Sequence, residues 1–163
     1  EAEKPVVAGV EGFAVGAGAG IALLCDSIVL TESGALGFPF FRIGLTPDYG
    51  ILFTLARRVG QAKARQILLY AEMRRGQDAV DIGLADELVS DGQAEARAIE
   101  CAQEMAAMPP HVFALTKRHL AMEPQSLEEA LEMEAMSQSL AFVGSELEEG
   151  RSAFLEKRKP EFR

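Results

Sequence analysis

The sequence predicts an α/β protein, with a βα core up to about residue 90 and a helical region after it. Three observations carry this. Short apolar runs bounded by Gly and Pro recur in the first half, as buried strands do: Val6, Val7 and Val10, Ser27 to Leu30, Ala35 to Phe38, and Ala85 to Val89. Segments with helical spacing of apolar residues lie between them. The second half reads as successive helices, interrupted at Pro109-Pro110 and reopened by two Ser-x-x-Glu capping boxes.

In chain order, Lys4 to Val10 is extended, with Pro5 restricting what precedes it, and Glu11-Gly12 turns the chain. A small-residue segment from Ala14 to Gly20 leads into a helix through about Cys25. Gly34, Gly37 and Pro39 mark loops around the Ala35 to Phe38 strand. A helix should open near Thr46-Pro47-Asp48. Thr46 suits the cap, Pro47 the first turn, and Asp48 complements the dipole. Ile51, Leu52, Leu55 and Ala56 form its apolar face, and Gly60 ends it. Ala62 to Tyr70 and Asp78 to Ile82, the latter closed by Gly83, are further helices. Ala94 to Met108 and Val112 to Met122 follow. Ser126-x-x-Glu129 opens a helix to about Phe142, and Ser145-x-x-Glu148 opens one to about Lys157. Three or four strands would leave an open sheet edge, so the chain reads as part of something larger.

Composition narrows the function. The 163 residues are 48% hydrophobic and 25% charged, ordinary for one soluble globular domain with a real core. A net charge of −9 argues against nucleic acid or an anionic membrane as partner, although the tail Lys157-Arg158-Lys159 is locally basic. Cys25 and Cys101 lie far apart in apolar surroundings, which favours buried free thiols over a disulfide and suggests the cytoplasm. The charged start Glu1-Ala2-Glu3-Lys4 does not read as a signal peptide. The uncharged stretch from Gly12 to Cys25 is too short and glycine-rich for a membrane span of about 20 residues. No His, Cys or carboxylate spacing suggests a metal site, and no Ser sits in a nucleophile elbow. His111 and His119 read as surface or satisfied histidines, and Asp26 as structural.

The glycine segment has two readings. Gly12, Gly16 and Gly20 share a face if helical, which suits close packing of backbone against backbone. Gly18 breaks that pattern and places a loop-to-helix junction near Gly16 to Gly18. The unpaired amides of such a helix start can hold an oxyanion. A dinucleotide fingerprint fails, because its last glycine would fall on Ile21 or Leu23.

The run Lys4-Pro5-Val6-Val7-Ala8-Gly9-Val10-Glu11-Gly12-Phe13-Ala14-Val15-Gly16-Ala17-Gly18 resembles the crotonase, or enoyl-CoA hydratase/isomerase, superfamily. Cys25-Asp26, Gly44-Leu45, Pro47, Gly60, the run Ala79 to Val89 and the ending Gly150 to Arg158 fall in register. The resemblance covers essentially the whole chain. It implies a crotonase-like ββα spiral core, of which residues 1–90 would be the C-terminal part, and a helical trimerisation region over 91–163. It also implies a homotrimer or a hexamer of two stacked trimers. The substrate would be an acyl-CoA thioester, with no permanently bound cofactor and coenzyme A present only as part of the substrate. The Ala17 backbone amide, between Gly16 and Gly18, would supply half of an oxyanion hole. The other amide belongs to an N-terminal half that has no counterpart in this chain.

Family hydratases carry two glutamates. Here those places are Gly20 and Phe40. Adding water needs a base for the water and an acid for the α-carbon, and neither residue can serve. Asp48, in Gly44-Leu45-Thr46-Pro47-Asp48-Tyr49-Gly50, is the carboxylate that remains in the motif. This version is similar to isomerases that shift a double bond with one acid. Phe40 would then keep water from the enolate. Phe154 and Lys157 match positions that contact the adenine and phosphates of coenzyme A; otherwise Phe154 is a core anchor and Lys157 a solvated charge. The expected activity is an enoyl-CoA isomerase. The alternatives are a hydratase or other crotonase-family activity, and a non-catalytic CoA-binding or assembly protein. Met105, Met108, Met122, Leu131, Met133, Met136 and Leu140 are more apolar surface than a thin helical layer can bury, so an oligomer interface is expected there.

Overall fold

The computed structural model describes residues 2–162. They fall into two compact units, one spanning Val6–Ala102 and one made of the chain from Gln103 onward with the first residues up to Pro5. The first unit contains two stacked ββα turns. Strands β1 (Val7–Val10) and β2 (Phe13–Val15) lead into helix α1 (Ala17–Leu23). Strands β3 (Ser27–Thr31) and β4 (Ala35–Gly37) lead through a 3-10 turn at Phe40–Ile43 into α2 (Ile51–Val59) and α3 (Gln61–Leu69). β3 runs parallel to β1, with Val7 opposite Ser27, and β4 parallel to β2, with Phe13 opposite Ala35. Strand β5 (Met73–Arg75) pairs antiparallel with β4. After α4 (Gly76–Asp81), β6 (Glu87–Val89) pairs parallel with β3. The sheet orders are therefore β1-β3-β6 and β2-β4-β5.

β3 is central and covered on both faces, which is why Ile28-Val29-Leu30 is a continuous apolar run. Ile28 and Leu30 join Leu36, Phe38, Ile51, Leu55, Ile67 and Leu84 in the main core. Val29 packs with Ala94, Ala98 and Cys101 of α5 (Ala94–Ala106). Gly9 permits that approach, since a methyl there would lie 2.8 Å from the Ala94 carbonyl oxygen. The Glu11 carboxylate accepts the amides of Gly92 and, at 3.1 Å, of Ala94, so it caps α5 from across the unit. Asp86 accepts the Ile28 amide at 2.7 Å and pairs with Arg58 at 2.5 Å. Asp26 accepts the Val6 amide at 2.7 Å, the structural role expected of it.

Several elements depart from the sequence-based expectation. The described residues form six strands, not three or four. β2 and β5 are three residues each and carry no alternation of their own; partners far along the chain define them. Helix α2 begins at Ile51 with Gly50 as its N-cap, not near Thr46. Tyr49 and Gly50 have φ of 51° and 71°, and a helix cannot continue through them. Both cysteines are free thiols, with Cys101 buried and Cys25 only half-buried.

The second unit contains α6 (Pro110–Met122), α7 (Leu127–Phe142) and α8 (Ser145–Glu156). Ser126 caps α7 by accepting the Glu129 amide at 3.1 Å, and the Glu129 carboxylate accepts the Gln125 amide at 2.7 Å. The expected box at Ser145 does not form: Gly144 is the N-cap of α8 and Ser145 lies inside the helix. The adjacent Glu146 instead turns inward. It accepts the His111 and Val112 amides at 2.9 and 3.2 Å, and its carboxylate lies 3.0 Å from His111 Nδ1. A carboxylate from α8 thus caps α6. Neither α6 nor α7 buries a residue, and Met122, Leu131, Met136, Leu140 and Phe142 are exposed. Among the described residues, no helix is long and apolar enough to cross a membrane.

Candidate active site

Helix α1 starts at a sharp bend. Gly16 has φ 58° and ψ −117°, a conformation that glycine alone adopts cheaply. Its amide donates to the Gly37 carbonyl at 2.9 Å, which ties the bend to β4. Its carbonyl accepts the Gly20 amide at 2.9 Å, the first bond of the helix. The amides of Ala17, Gly18 and Ala19 precede that bond and carry the positive end of the peptide dipoles. Ala17 is half-buried and Gly18 exposed, whereas Ala19 and Gly20 are buried. The bend lies at Gly16 alone. Gly18 is an ordinary member of α1, and a methyl on it would meet only Ala14 Cβ, at 4.0 Å.

Two other segments reach the same helix. Phe40 is buried and opens the 3-10 turn; its ring Cζ lies 3.8 Å from where a methyl on Gly16 would sit. Tyr49 approaches Gly20, where a methyl would lie 2.8 Å from Tyr49 Cβ and 3.2 Å from Ile51 Cδ1 and Cγ1. Asp48 precedes Tyr49 and is exposed. The Asp48 carbonyl accepts the Ile51 amide at 3.0 Å. Asp48 to Ile51 is therefore a tight turn with positive φ at both central residues, the pattern of a type I′ turn. Asp48 stands two residues before the Gly50 cap, so it is not the first-turn acid that its spacing suggested.

The structure thus gathers Gly16, Ala17, Gly18, Phe40 and the Asp48 turn around α1. Phe154 and Lys157 belong to the second unit. Phe154 is 82% exposed in this chain. Lys157 is exposed and ends α8 in a left-handed conformation with φ 56°. His111 pairs with Glu146, and His119 Nε2 lies 2.9 Å from Ser137 Oγ. No group of His, Cys, Asp and Glu among the described residues is arranged to hold a metal ion. Sequence reasoning missed Tyr49, whose left-handed backbone only the folded turn reveals.

Comparison with known proteins agrees with this architecture. The chain is 33% identical over 160 residues to the 1,2-epoxyphenylacetyl-CoA isomerase of Escherichia coli (strain K12), with 98% of this chain and 61% of that protein covered. It is 33% identical over 161 residues to the 2,3-dehydroadipyl-CoA hydratase of the same strain, covering 98% of this chain and 63% of that protein. Among solved structures, an enoyl-CoA hydratase from Polaromonas sp. JS666 superposes with a TM-score of 0.93 at 33% identity, over 99% of this chain and 63% of that one. The chain therefore spans a little under two thirds of the length of these relatives. The whole chain, residues 1–163, matches the family described as enoyl-CoA hydratase/isomerase, with the expected crotonase-type fold, and the chain belongs to that family.

Proposed function

We propose that the whole protein acts on an acyl-CoA thioester and shifts a carbon–carbon double bond through an enolate. Coenzyme A enters as part of the substrate, and no permanently bound cofactor is required. The observation that carries this reading is the pairing of one carboxylate with two apolar replacements. Asp48 sits on a turn packed against α1, while Gly20 and Phe40 occupy the places where the family resemblance expects the hydratase acids. Asp48 would take a proton from C2 of a 3-enoyl thioester. Negative charge would develop on the thioester oxygen, facing the Ala17 amide at the start of α1; an amide so placed is worth ~3 kcal/mol of transition-state stabilisation. Asp48 would return the proton at C4. No water takes part, and the buried Phe40 ring beside Gly16 presents it no polar partner.

A second reading is hydration. Its support is that relatives such as the 2,3-dehydroadipyl-CoA hydratase are named for that reaction. Assaying the whole protein with 2-enoyl- and 3-enoyl-CoA substrates separates the two. Isomerisation without comparable hydration is expected. Hydration at a similar rate would overturn the isomerase reading, and no turnover with retained CoA binding would favour a binding or assembly role. Asp48→Asn should lower turnover about 10²-fold, the scale for losing a general acid-base, while CoA binding persists. A change under about threefold would remove Asp48 from the mechanism.

The exposed Phe154, with Lys157 three residues on, is offered for the adenine and phosphates of coenzyme A. The apolar surface of α6 and α7 is offered as a trimer or hexamer interface, since helices that bury none of their own residues favour a partner.

A further inference from the structure

We propose that Gly20 is a positioning residue for Asp48: because it lacks a side chain, the Asp48–Ile51 turn seats against helix α1. This rests on the reading of Asp48 as the proton shuttle, and it adds what holds that shuttle in place. Gly20 lies inside α1 in ordinary helical backbone, where glycine is less stable than alanine. No positive φ requires glycine there, so the reason lies in space. Gly20 is buried, and a methyl on it would lie 2.8 Å from Tyr49 Cβ. Non-bonded carbons rest at about 3.5–4.0 Å, so the turn would have to retreat by about 1 Å.

The clash cannot be relieved by a rotamer change in Tyr49, because its Cβ moves only with the backbone. The second contact, Ile51 Cδ1 and Cγ1 at 3.2 Å, is the end of a side chain and can rotate. Tyr49 also holds φ 51°, an uncommon conformation for an aromatic residue that persists where neighbours enforce it. Gly18, two residues before it in α1, has room for a methyl, so the close fit is found at Gly20 and not at Gly18. In this chain a side chain at residue 20 therefore competes with Tyr49 for the present seat of the Asp48 turn. Restoring a carboxylate with Gly20→Glu should unseat Asp48 and create no hydratase.

The test uses the whole protein with a 3-enoyl-CoA substrate and four variants: Gly20→Ala, Gly20→Ala/Tyr49→Gly, Asp48→Asn and Gly20→Ala/Asp48→Asn. A misplacement of about 1 Å can cost about 10²-fold, so Gly20→Ala should lose at least tenfold in kcat with KM little changed. Removing the Tyr49 Cβ in the double variant should recover most of that loss. In the Asp48→Asn background, Gly20→Ala should cost less than about twofold, because the group it misplaces is already gone. Full kcat in Gly20→Ala, no recovery in the double variant, or an undiminished loss beside Asp48→Asn would each overturn the positioning role. If Gly20→Ala does not fold, the Tyr49→Gly double variant must fold, and its failure to do so overturns the proposal as well. A normal Asp48→Asn enzyme overturns the shuttle reading and positioning together, whereas a crippled Asp48→Asn beside a normal Gly20→Ala overturns positioning alone.

Discussion

Glu146→Gln should loosen the helical unit, and its cost can be worked from the contacts. The carboxylate is 7% exposed and accepts two backbone amides at the start of α6, from His111 at 2.9 Å and Val112 at 3.2 Å. Burial by itself would raise the Glu146 pKa, but the His111 amide and imidazole and the Val112 amide outweigh it and hold the group below its ordinary 4.5. Glutamine keeps one acceptor oxygen and turns an NH2 group toward the other amide. One buried donor then goes unmet and the charge assistance is lost, about 2 kcal/mol in all by the usual scale of caps and charged hydrogen bonds. For a chain of this size that lowers Tm by about 4–8 °C if it melts as one unit. A depressed carboxyl pKa adds stability that is present above its unfolded value and lost as pH falls through the lowered native value. Glutamine does not titrate, so the gap between wild type and variant should be full at neutral pH and close in acid. Urea or thermal melts of both proteins at about pH 7 and about pH 3 read this directly. A gap below about 0.5 kcal/mol at neutral pH, or one that stays constant into acid, would refute the capping argument.

The two ends of the α1 bend should separate folding from turnover. Gly16→Ala must hold φ 58° with a side chain, so it should lose about 1–3 kcal/mol in a melt. Ala17→Gly should be mild. Gly18→Val would place its Cβ in ordinary contact with Ala14 Cβ at 4.0 Å, so it should melt near wild type yet lose about tenfold or more in turnover by obstructing the substrate beside the Ala17 amide; normal turnover would make the segment a packing device only. Phe154→Ala should raise KM about threefold to tenfold at unchanged kcat, the worth of one aromatic stacking contact, and an unchanged KM would free Phe154 from coenzyme A. Sedimentation of the whole protein at micromolar concentration should show an oligomer, and a monomer would contradict an interface on α6 and α7.

What was legible in the fold was whatever packing made locally redundant. Ile28-Val29-Leu30 could be read as a strand because β3 is covered on both faces and tolerates no polar residue there. α3, α5, α6 and α7 could be read because their spacing or punctuation is their own. β2 and β5 were not legible, since Phe13-Ala14-Val15 and Met73-Arg74-Arg75 become strands only by lying beside β4. At Ser145 the local rule was satisfied and still lost. The Glu146 carboxylate reaches α6 some 35 residues back, and a helix that opens one residue earlier brings it there. A capping box stabilises one helix end; a buried carboxylate joining two helices satisfies α6 amides that a box on α8 would leave alone.

The site shows the same conflict between local and distant causes, with a functional consequence. Thr46-Pro47-Asp48 meets every local condition for opening a helix, and the chain nevertheless turns at Tyr49-Gly50 before α2 begins. A helix running from Thr46 would make Asp48 a first-turn acid, fixed by the helix dipole. The turn instead carries Asp48 clear of the helix and places the next residue on Gly20, whose missing side chain leaves the space. In sequence, Gly20 records only the loss of an acid and Asp48 only a helix start, because neither reveals that residues 20 and 49 meet. Once they meet, the two positions become linked in this chain. By the positioning proposal, an acid at residue 20 would compete with the turn for the space that Tyr49 Cβ occupies. On the proposed reading Asp48 is the one carboxylate left to work beside the α1 amides, and one carboxylate suits moving a proton between two carbons better than adding water across them.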